Sequence, residues 1–394
     1  MKFHRVLVDA VIMALTEIFE EGRQADKVIE RILKTDKRWG ARDRAFVAEN
    51  TYEIVRWWRM LDFVTHQNSS VYAKFGAWQI IKENELPDWY EFKNINPSQI
   101  RKAHKEALKI RKIRESIPDW LDEVGEKELG TSWENELHAL NQTAPVVLRA
   151  NTLKSSREEL RSILRDTDID TTIISELPDA LVLSQKKNVF LTDAFKNGFF
   201  EVQDAASQLV APFLDVQPGM RVIDACAGAG GKSLHLAALM KNKGQLLVMD
   251  TEAWKLEELK RRARRNGISN IEPRAIEAKT VKRLRQSADR LLLDVPCTGL
   301  GVLRRNPDTK WKMKPDFLNQ IKETQYEILQ NYASMVKNGG KMVYATCSIL
   351  PSESENQVQR FLIENKDWNL LSERRTSPAK DGYDGFYMSC LQKK

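Results

Sequence analysis

From about residue 219 onward the chain repeats one pattern, a short and mostly apolar run followed by a longer stretch with helical spacing. The runs are RVIDA, QLLVMD, RLLLDV and KMVYAT. Between them lie KSLHLAALMKN, EAWKLEELKRRARRNG and PDFLNQIKETQYEILQNYASMVKNG. A strand that is apolar on both faces has to be covered on both faces, and parallel neighbours need a crossover to bring the chain back. The pattern predicts an α/β domain over residues 203–394, with a Rossmann-like, mostly parallel sheet. Ligands of such sheets bind beyond the carboxyl ends of the strands, so residues at those ends are the candidates for chemistry.

The preceding chain has a different texture. Residues 1–117 carry apolar residues at spacings of three and four in RVLVDAVIMALTEIF, ADKVIERILKT, ARDRAFVAENTYEIVRWWRMLDFV and YAKFGAWQIIKENE, with no alternating strand pattern. An all-helical domain is expected there. It ends in RKAHKEALKIRKIRE, which reads as a solvated basic helix, or, beside an RNA-acting site, as a track for phosphates. Residues 118–202 open with linker helices after the Pro118 break. From Pro145 they continue as the strand-like VVLRANTL, the capped helix SSREELRSILRD and the short strands TTIIS, ALVLS and GFFEV, a small α+β subdomain.

Three domains suit 394 residues, and 42% hydrophobic residues supply material for real cores. The net charge of +7 is compatible with a polyanionic partner without requiring one. The start, MKFHRVLVDAVIMALTEIFEEG, is interrupted by Asp9 and Glu17 and reads as an amphipathic helix, not a signal peptide. No run is long enough to span a bilayer. The four cysteines, Cys226, Cys297, Cys347 and Cys390, show no Cys-x-x-Cys spacing, which argues against a metal site and for reduced thiols. A cytoplasmic protein is expected.

The stretch DACAGAGGKS, Asp224 to Ser233, has three possible readings. A phosphate loop needs glycine five residues before Gly231, where Cys226 stands. The dinucleotide pattern fits Gly228 and Gly230 and then meets Ser233. The third pattern is an acidic residue followed by small residues at alternate positions, supplied by Asp224, Cys226, Gly228 and Gly230 at the end of a strand. The glycines let the backbone pass close to a ligand. Asp250, 20 residues beyond Gly230, ends the next strand, where a partner for ribose hydroxyls belongs; the competing reading is a helix cap. Nothing in this set requires a phosphate, and S-adenosylmethionine is a nucleoside without one.

Two further strand ends carry thiols. LLLDVPCTG places Asp294, Pro296 and Cys297 at one carboxyl edge, and MVYATCSILP places Thr346 and Cys347 at the next. Cys226 and Cys390 read as small buried hydrophobes. The C5 carbon of cytosine is a poor nucleophile. A thiolate that adds to C6 makes C5 able to attack a sulfonium methyl, which splits one hard step into easier ones. The C5 proton then leaves and the thiolate is expelled, with a second thiol or a base assisting. Asp294 is placed to stabilise charge at N3.

At these residues the sequence closely resembles the Sun-type family of RNA cytosine-C5 methyltransferases, in the bacterial ribosomal branch whose N-terminal domain is similar to the antitermination factor NusB. DRAFVAENTYEIVRWWRMLDFV is similar to the NusB-type helix pair, and LRANTLKSSREEL and GFFEVQDAASQL to the small subdomain and its lead-in helix. DACAGAGGKS, LLLDVPCTGLGVLRRNPDTKW, YATCSILPSESENQVQRFL and DGYDGFYMSCL match the catalytic motifs in order. The resemblance implies that Cys347 is the nucleophile, that Cys297 aids product release and that Asp294 lies between cofactor and base. It implies that Cys226, Ala227, Gly228, Ala229, Gly230, Gly231 and Lys232 hold the methionine part of S-adenosylmethionine and that Asp250 holds the ribose. Glu277 stands where the family usually has an adenine-contacting Asp, and Gly228-Ala229 where it commonly has Ala-Pro. Lys232 falls near the base or the cofactor carboxylate. Arg304, Arg305 and Lys310 are candidates for RNA phosphate contacts, against a reading as surface charge.

The expectation is a monomeric methyltransferase acting on 16S ribosomal RNA, with the helical and α+β domains gripping RNA and presenting an unstacked or flipped cytosine. The rivals are the same chemistry on transfer RNA, and a non-catalytic RNA-binding factor of ribosome assembly.

Overall fold

A computed structural model describes residues 3–66 and 70–394. Residues 1, 2 and 67–69, inside the expected helical domain, lie outside the described residues. The chain forms two compact units. One is Met1–Gln142 with Leu303–Pro315, and the other is Thr143–Val302 with Asp316–Lys394.

The first unit is helical, as its periodicity predicts. Val8, Val11, Leu15 and Ile18 line one face of helix Arg5–Phe19 and are buried in one core with Val47, Ile54 and Val55 of helix Ala41–Arg56. Helix Val71–Ile81 is buried at every position from Ala73 to Ile80, so it runs through the interior. The expected domain boundaries differ from this division in two places. Helices Asp119–Leu129 and Trp133–Leu140, expected with the α+β subdomain, belong to the helical unit. Asp122 explains it: the carboxylate accepts from Trp133 Nε1 at 2.7 Å and from Arg111 Nε at 3.1 Å, and Asn141 Nδ2 donates to Glu115 at 3.0 Å. The second place is Leu303–Pro315, expected in the catalytic domain. Asp308 Oδ2 accepts from the Ala25 N–H at 3.0 Å, Trp311 Nε1 donates to the Val55 carbonyl at 2.7 Å, and Lys312 Nζ donates to the Arg23 carbonyl at 2.6 Å.

The second unit holds two sheets. In the small antiparallel sheet, β1 (Val147–Ala150), β2 (Thr171–Ile173), β3 (Ala180–Leu183) and β4 (Phe200–Val202) lie in the order β2-β3-β1-β4. Helix Arg157–Arg165 packs Leu160 and Leu164 into its core and opens on a capping box between Ser156 and Glu159. The large sheet has β5 (Arg221–Asp224), β6 (Gln245–Asp250), β7 (Ile271–Ala275), β8 (Ala288–Asp294), β9 (Val336–Thr346), β10 (Trp368–Thr376) and β11 (Phe386–Lys393), in the order β10-β11-β9-β8-β5-β6-β7. Strands β5 to β9 pair in parallel; β11 pairs antiparallel with β9 and with β10. The four apolar runs are β5, β6, β8 and β9.

The small sheet is bonded to the end of helix Ala253–Asn266 and to the start of helix Gly231–Leu239 beside the large one. Glu201 of β4 is buried and pairs with Arg262 at 2.9 Å, with Arg265 and with Asn266. Arg149 of β1 donates to the Gly231 carbonyl at 2.8 Å. A buried carboxylate with two guanidinium partners holds a defined geometry, because losing either partner leaves charge uncompensated.

Candidate active site

The chain passes from β5 outward to β6 and β7, then returns to the other side of β5 as β8. Strand order reverses between β5 and β8, which opens a crevice at their carboxyl ends. The loop from Ala225 to Gly230 lies there. Gly228 and Gly230 both adopt the left-handed conformation, at φ +54° and +88°. A side chain at Gly230 would collide with Leu259, whereas the space beside the Gly228 Cα is open. The loop therefore packs closely on one side and presents backbone on the other. Asp250 ends β6 and fixes it: Oδ2 accepts from the Gly228 N–H and Oδ1 from the Glu252 N–H, both at 2.9 Å. Asp250 thus organises the glycine loop and the turn before helix Ala253–Asn266, whose N-cap is Glu252. Ile276 and Glu277, which follow β7, line a cleft of about 680 Å³ with Val281, Asn331 and Tyr332. The Glu277 side chain is exposed at its rim, while its N–H donates to Thr280 Oγ1 at 2.9 Å.

The reactive groups gather at β8 and β9. Cys297 and Cys347, 50 residues apart in sequence, bring their sulfurs to 3.2 Å. Lys232, in the first turn of helix Gly231–Leu239, places Nζ 2.6 Å from Asp294 Oδ2 and 5.1 Å from the centre of the Phe386 ring. Burial acts to lower the Lys232 pKa, but Asp294 and a Cys347 thiolate more than offset it, and the net shift is upward. Cys297 is pushed well above the usual thiol range by its hydrogen bond to Cys347, by burial, and by the negative charge of Cys347 and Glu353. Cys297 is held protonated beside Cys347, an arrangement suited to one nucleophile and one proton donor. The Cys226 thiol is also pushed up, by burial and then by Asp224.

Asp224 is buried beneath this site. Burial raises its pKa to about 7, against an opposing hydrogen bond in which Ser233 Oγ donates to Oδ2 at 2.6 Å. A raised carboxyl pKa contributes stability that is complete below the unfolded value of 3.8 and is lost as pH climbs to about 7. Asp224→Asn should therefore gain on wild type by about 3 kcal/mol between pH 5 and pH 8 in urea unfolding. A constant difference between the two proteins across that range would show that Asp224 does not titrate there.

Two of the three cations expected at phosphates, Lys310 and Arg304, are interior residues, at 2% and 5% exposure. Lys310 Nζ donates to Asn141 Oδ1 at 3.4 Å, and burial drives its ammonium pKa well below the usual range, so it is an interior group and no phosphate anchor. The Arg304 carbonyl accepts from Arg56 Nη2 at 3.1 Å. Arg305 is half-buried. These residues belong to the segment that completes the helical unit. The basic run near residue 110 is also largely satisfied by carboxylates: Lys109 by Glu106, Arg111 by Asp122 and Glu126, Lys112 by Asp119, and Arg114 by Glu115 and Glu134.

Sequence reasoning missed Glu353. It lies in SILPSESENQ, and its carboxylate is fully buried and bonded to the residues that follow both cysteines. Its only sequence signal is a position six residues beyond Cys347 in a stretch otherwise read as a motif.

The fold and site define an enzyme with a nucleoside-type crevice and a thiol pair. The chain matches the family described as 16S rRNA methyltransferase RsmB/F over residues 211–392, and the RsmF/B-like ferredoxin-like domain over residues 117–190. It is 38% identical over 267 residues to the probable ribosomal RNA small subunit methyltransferase B of Synechocystis, covering 67% of this chain and 60% of that protein. It is 33% identical to the probable ribosomal RNA small subunit methyltransferase B of Bacillus subtilis, covering 71% and 67%. The crystal structure of PH0851 superposes over 100% of both chains with a TM-score of 0.87 at 24% identity, which shows the shared fold. The chain belongs to this methyltransferase B family. It spans about 60% of the length of the Synechocystis relative.

Proposed function

We propose that this protein methylates C5 of a cytosine in RNA, with 16S ribosomal RNA as its substrate and S-adenosylmethionine as methyl donor. The observation that carries the reading is the 3.2 Å contact of Cys297 and Cys347 at neighbouring strand ends, beside the Lys232–Asp294 pair. Family membership supports the same chemistry and substrate class.

The crevice fits the donor. Gly228 leaves open space where a Cβ would stand, Asp250 ends β6, and a cleft by Glu277 and Tyr332 lies beyond β7. Residues Cys226 to Lys232 would hold the methionine part, Asp250 the ribose and Glu277 the rim near the adenine. The donor, when bound, supplies an electrophilic methyl group on a sulfonium. The Cys347 thiolate adds to C6 of the cytosine and makes C5 electron-rich. Asp294 orients the base, and the Lys232 ammonium paired with it at 2.6 Å offsets the negative charge that develops on the ring. Once C5 is methylated, a base takes its proton, the ring double bond reforms and the C6–S bond breaks. Cys297, 3.2 Å away and held protonated, donates to the departing Cys347 sulfur. The protein works as a monomer in the cytoplasm, its NusB-like helices and small sheet gripping structured RNA.

Transfer of labelled methyl to 16S ribosomal RNA, mapped by bisulfite sequencing, tests the reading. The expected result is one 5-methylcytosine in 16S RNA and none in transfer RNA. Labelling of transfer RNA alone would overturn the substrate, and RNA binding without methyl transfer would point to an assembly factor.

A further inference from the structure

Glu353 occupies a position that the mechanism above leaves without a role. It is 0% exposed, and four donors surround its carboxylate. Oε1 accepts from the Thr298 N–H at 2.8 Å and from Gln325 Nε2 at 3.0 Å. Oε2 accepts from Thr298 Oγ1 at 2.6 Å and from the Ser348 hydroxyl. Thr298 follows Cys297 directly, and Ser348 follows Cys347 directly. A single side chain thus bonds the turns that carry both thiols, although those turns leave different strands. Its own backbone is anchored from β9, where the Tyr344 hydroxyl donates to the Glu353 carbonyl at 2.8 Å. Gln325 extends the clamp by donating to the Pro296 carbonyl at 3.0 Å as well. Two turns at the ends of separate strands have no covalent reason to stay in register. Burial of a carboxylate with every lone-pair direction occupied fixes their separation, because each lost bond leaves a buried polar group unsatisfied.

We infer that Glu353 is the positioning residue of the thiol pair: it clamps the Cys297 turn against the Cys347 turn, and so holds the proton-donating thiol within reach of the sulfur that must leave. The inference rests on the proposed thiol chemistry and adds a side-chain clamp to the backbone bond between the same turns, in which the Gly301 N–H donates to the Cys347 carbonyl at 2.9 Å. The predominantly hydrogen-bonding character of the clamp sets the expected order of variants. In Glu353→Gln the amide oxygen can keep the Thr298 N–H and Gln325 bonds, while the amide nitrogen donates to the Thr298 and Ser348 hydroxyls, which rotate to accept. Glu353→Ala removes all four bonds. Ser348→Ala removes the bond to the Cys347 side, together with the acceptor of the Leu350 N–H at 3.2 Å and the 3.4 Å contact with Thr298 Oγ1, and leaves the other three donors to Glu353 in place.

The test uses two readouts on the full chain. Phenylarsine oxide, a trivalent arsenical that bonds two adjacent thiols, reports their separation without RNA or methyl donor. Turnover on RNA reports release. Glu353→Ala and Ser348→Ala should each bind the arsenical about tenfold more weakly than wild type. Their kcat should fall about tenfold with KM for RNA within about twofold, and a larger fraction of protein should remain joined to RNA on a denaturing gel. Glu353→Gln should stay within about threefold of wild type in both readouts. Wild-type arsenical affinity and turnover in Ser348→Ala and Glu353→Ala would overturn the inference, as would a Gln variant as impaired as the Ala variant. Should Glu353→Ala fail to fold, Ser348→Ala carries the comparison alone. A wild-type protein that binds the arsenical yet transfers no methyl group would instead overturn the functional reading, and the arsenical comparison among variants would still decide the clamp.

Discussion

Cys347→Ala is expected to lose methyl transfer by about 10⁴-fold or more and to form no covalent complex with RNA. The size follows from the substrate. Without a bond at C6, C5 of cytosine has little nucleophilic character, and no positioning of the donor replaces that electron density. The Lys232 ammonium, favoured by Asp294, lies in the same site. Removing the thiol leaves the Lys232–Asp294 pair and the glycine loop untouched, so RNA and cofactor binding should survive. Label incorporation and a denaturing gel with RNA measure both parts. Full methylation by Cys347→Ala would place the nucleophile elsewhere.

Cys297→Ala should behave in the opposite way, forming the adduct and failing to resolve it. Attack needs only Cys347, but expulsion of that sulfur as a thiolate is helped by a donor at 3.2 Å. Cys297 is that donor because its proton is held: the bond to Cys347, burial and the neighbouring charges all push its pKa well up. The expected outcome is a protein–RNA species that survives denaturation, with turnover falling by about 10²-fold or more, the scale of a lost general acid. Release at the wild-type rate, with no trapped species, would show that Cys297 has no part in this step.

Much of this site was legible in the sequence because its parts sit where parallel strands end. Four apolar runs located β5, β6, β8 and β9; Asp250 and Asp294 end two of them, and Cys297 and Cys347 lie just beyond two. The other large-sheet strands were less legible. Strand β7 is short and half-exposed and contains Pro273, and β10 is largely exposed and polar, so neither reads as a buried parallel strand. Glu353 was invisible because an acidic residue beside Ser, Glu and Asn looks like surface; only the folded chain shows the four donors converging on it. Lys310 misled for the same reason in reverse. A lysine in LRRNPDTKWK looks solvated, yet it lies in the interior of the helical unit beside Asn141. Asp250 was left between a ribose partner and a helix cap. Its two backbone bonds show a third duty, bracing the glycine loop.

The excursion of residues 303–315 bears on how the chain is made. The helical unit is encoded in two pieces separated by residues 143–302, about two fifths of the polypeptide. As synthesis proceeds from the N-terminus, Ala25 and Val55 emerge long before Asp308 and Trp311, the groups that bond to them. The early helices therefore wait with that surface uncovered until most of the second unit has been translated. Completion of the first domain and delivery of the Cys297 turn become a single late event in the life of the nascent chain.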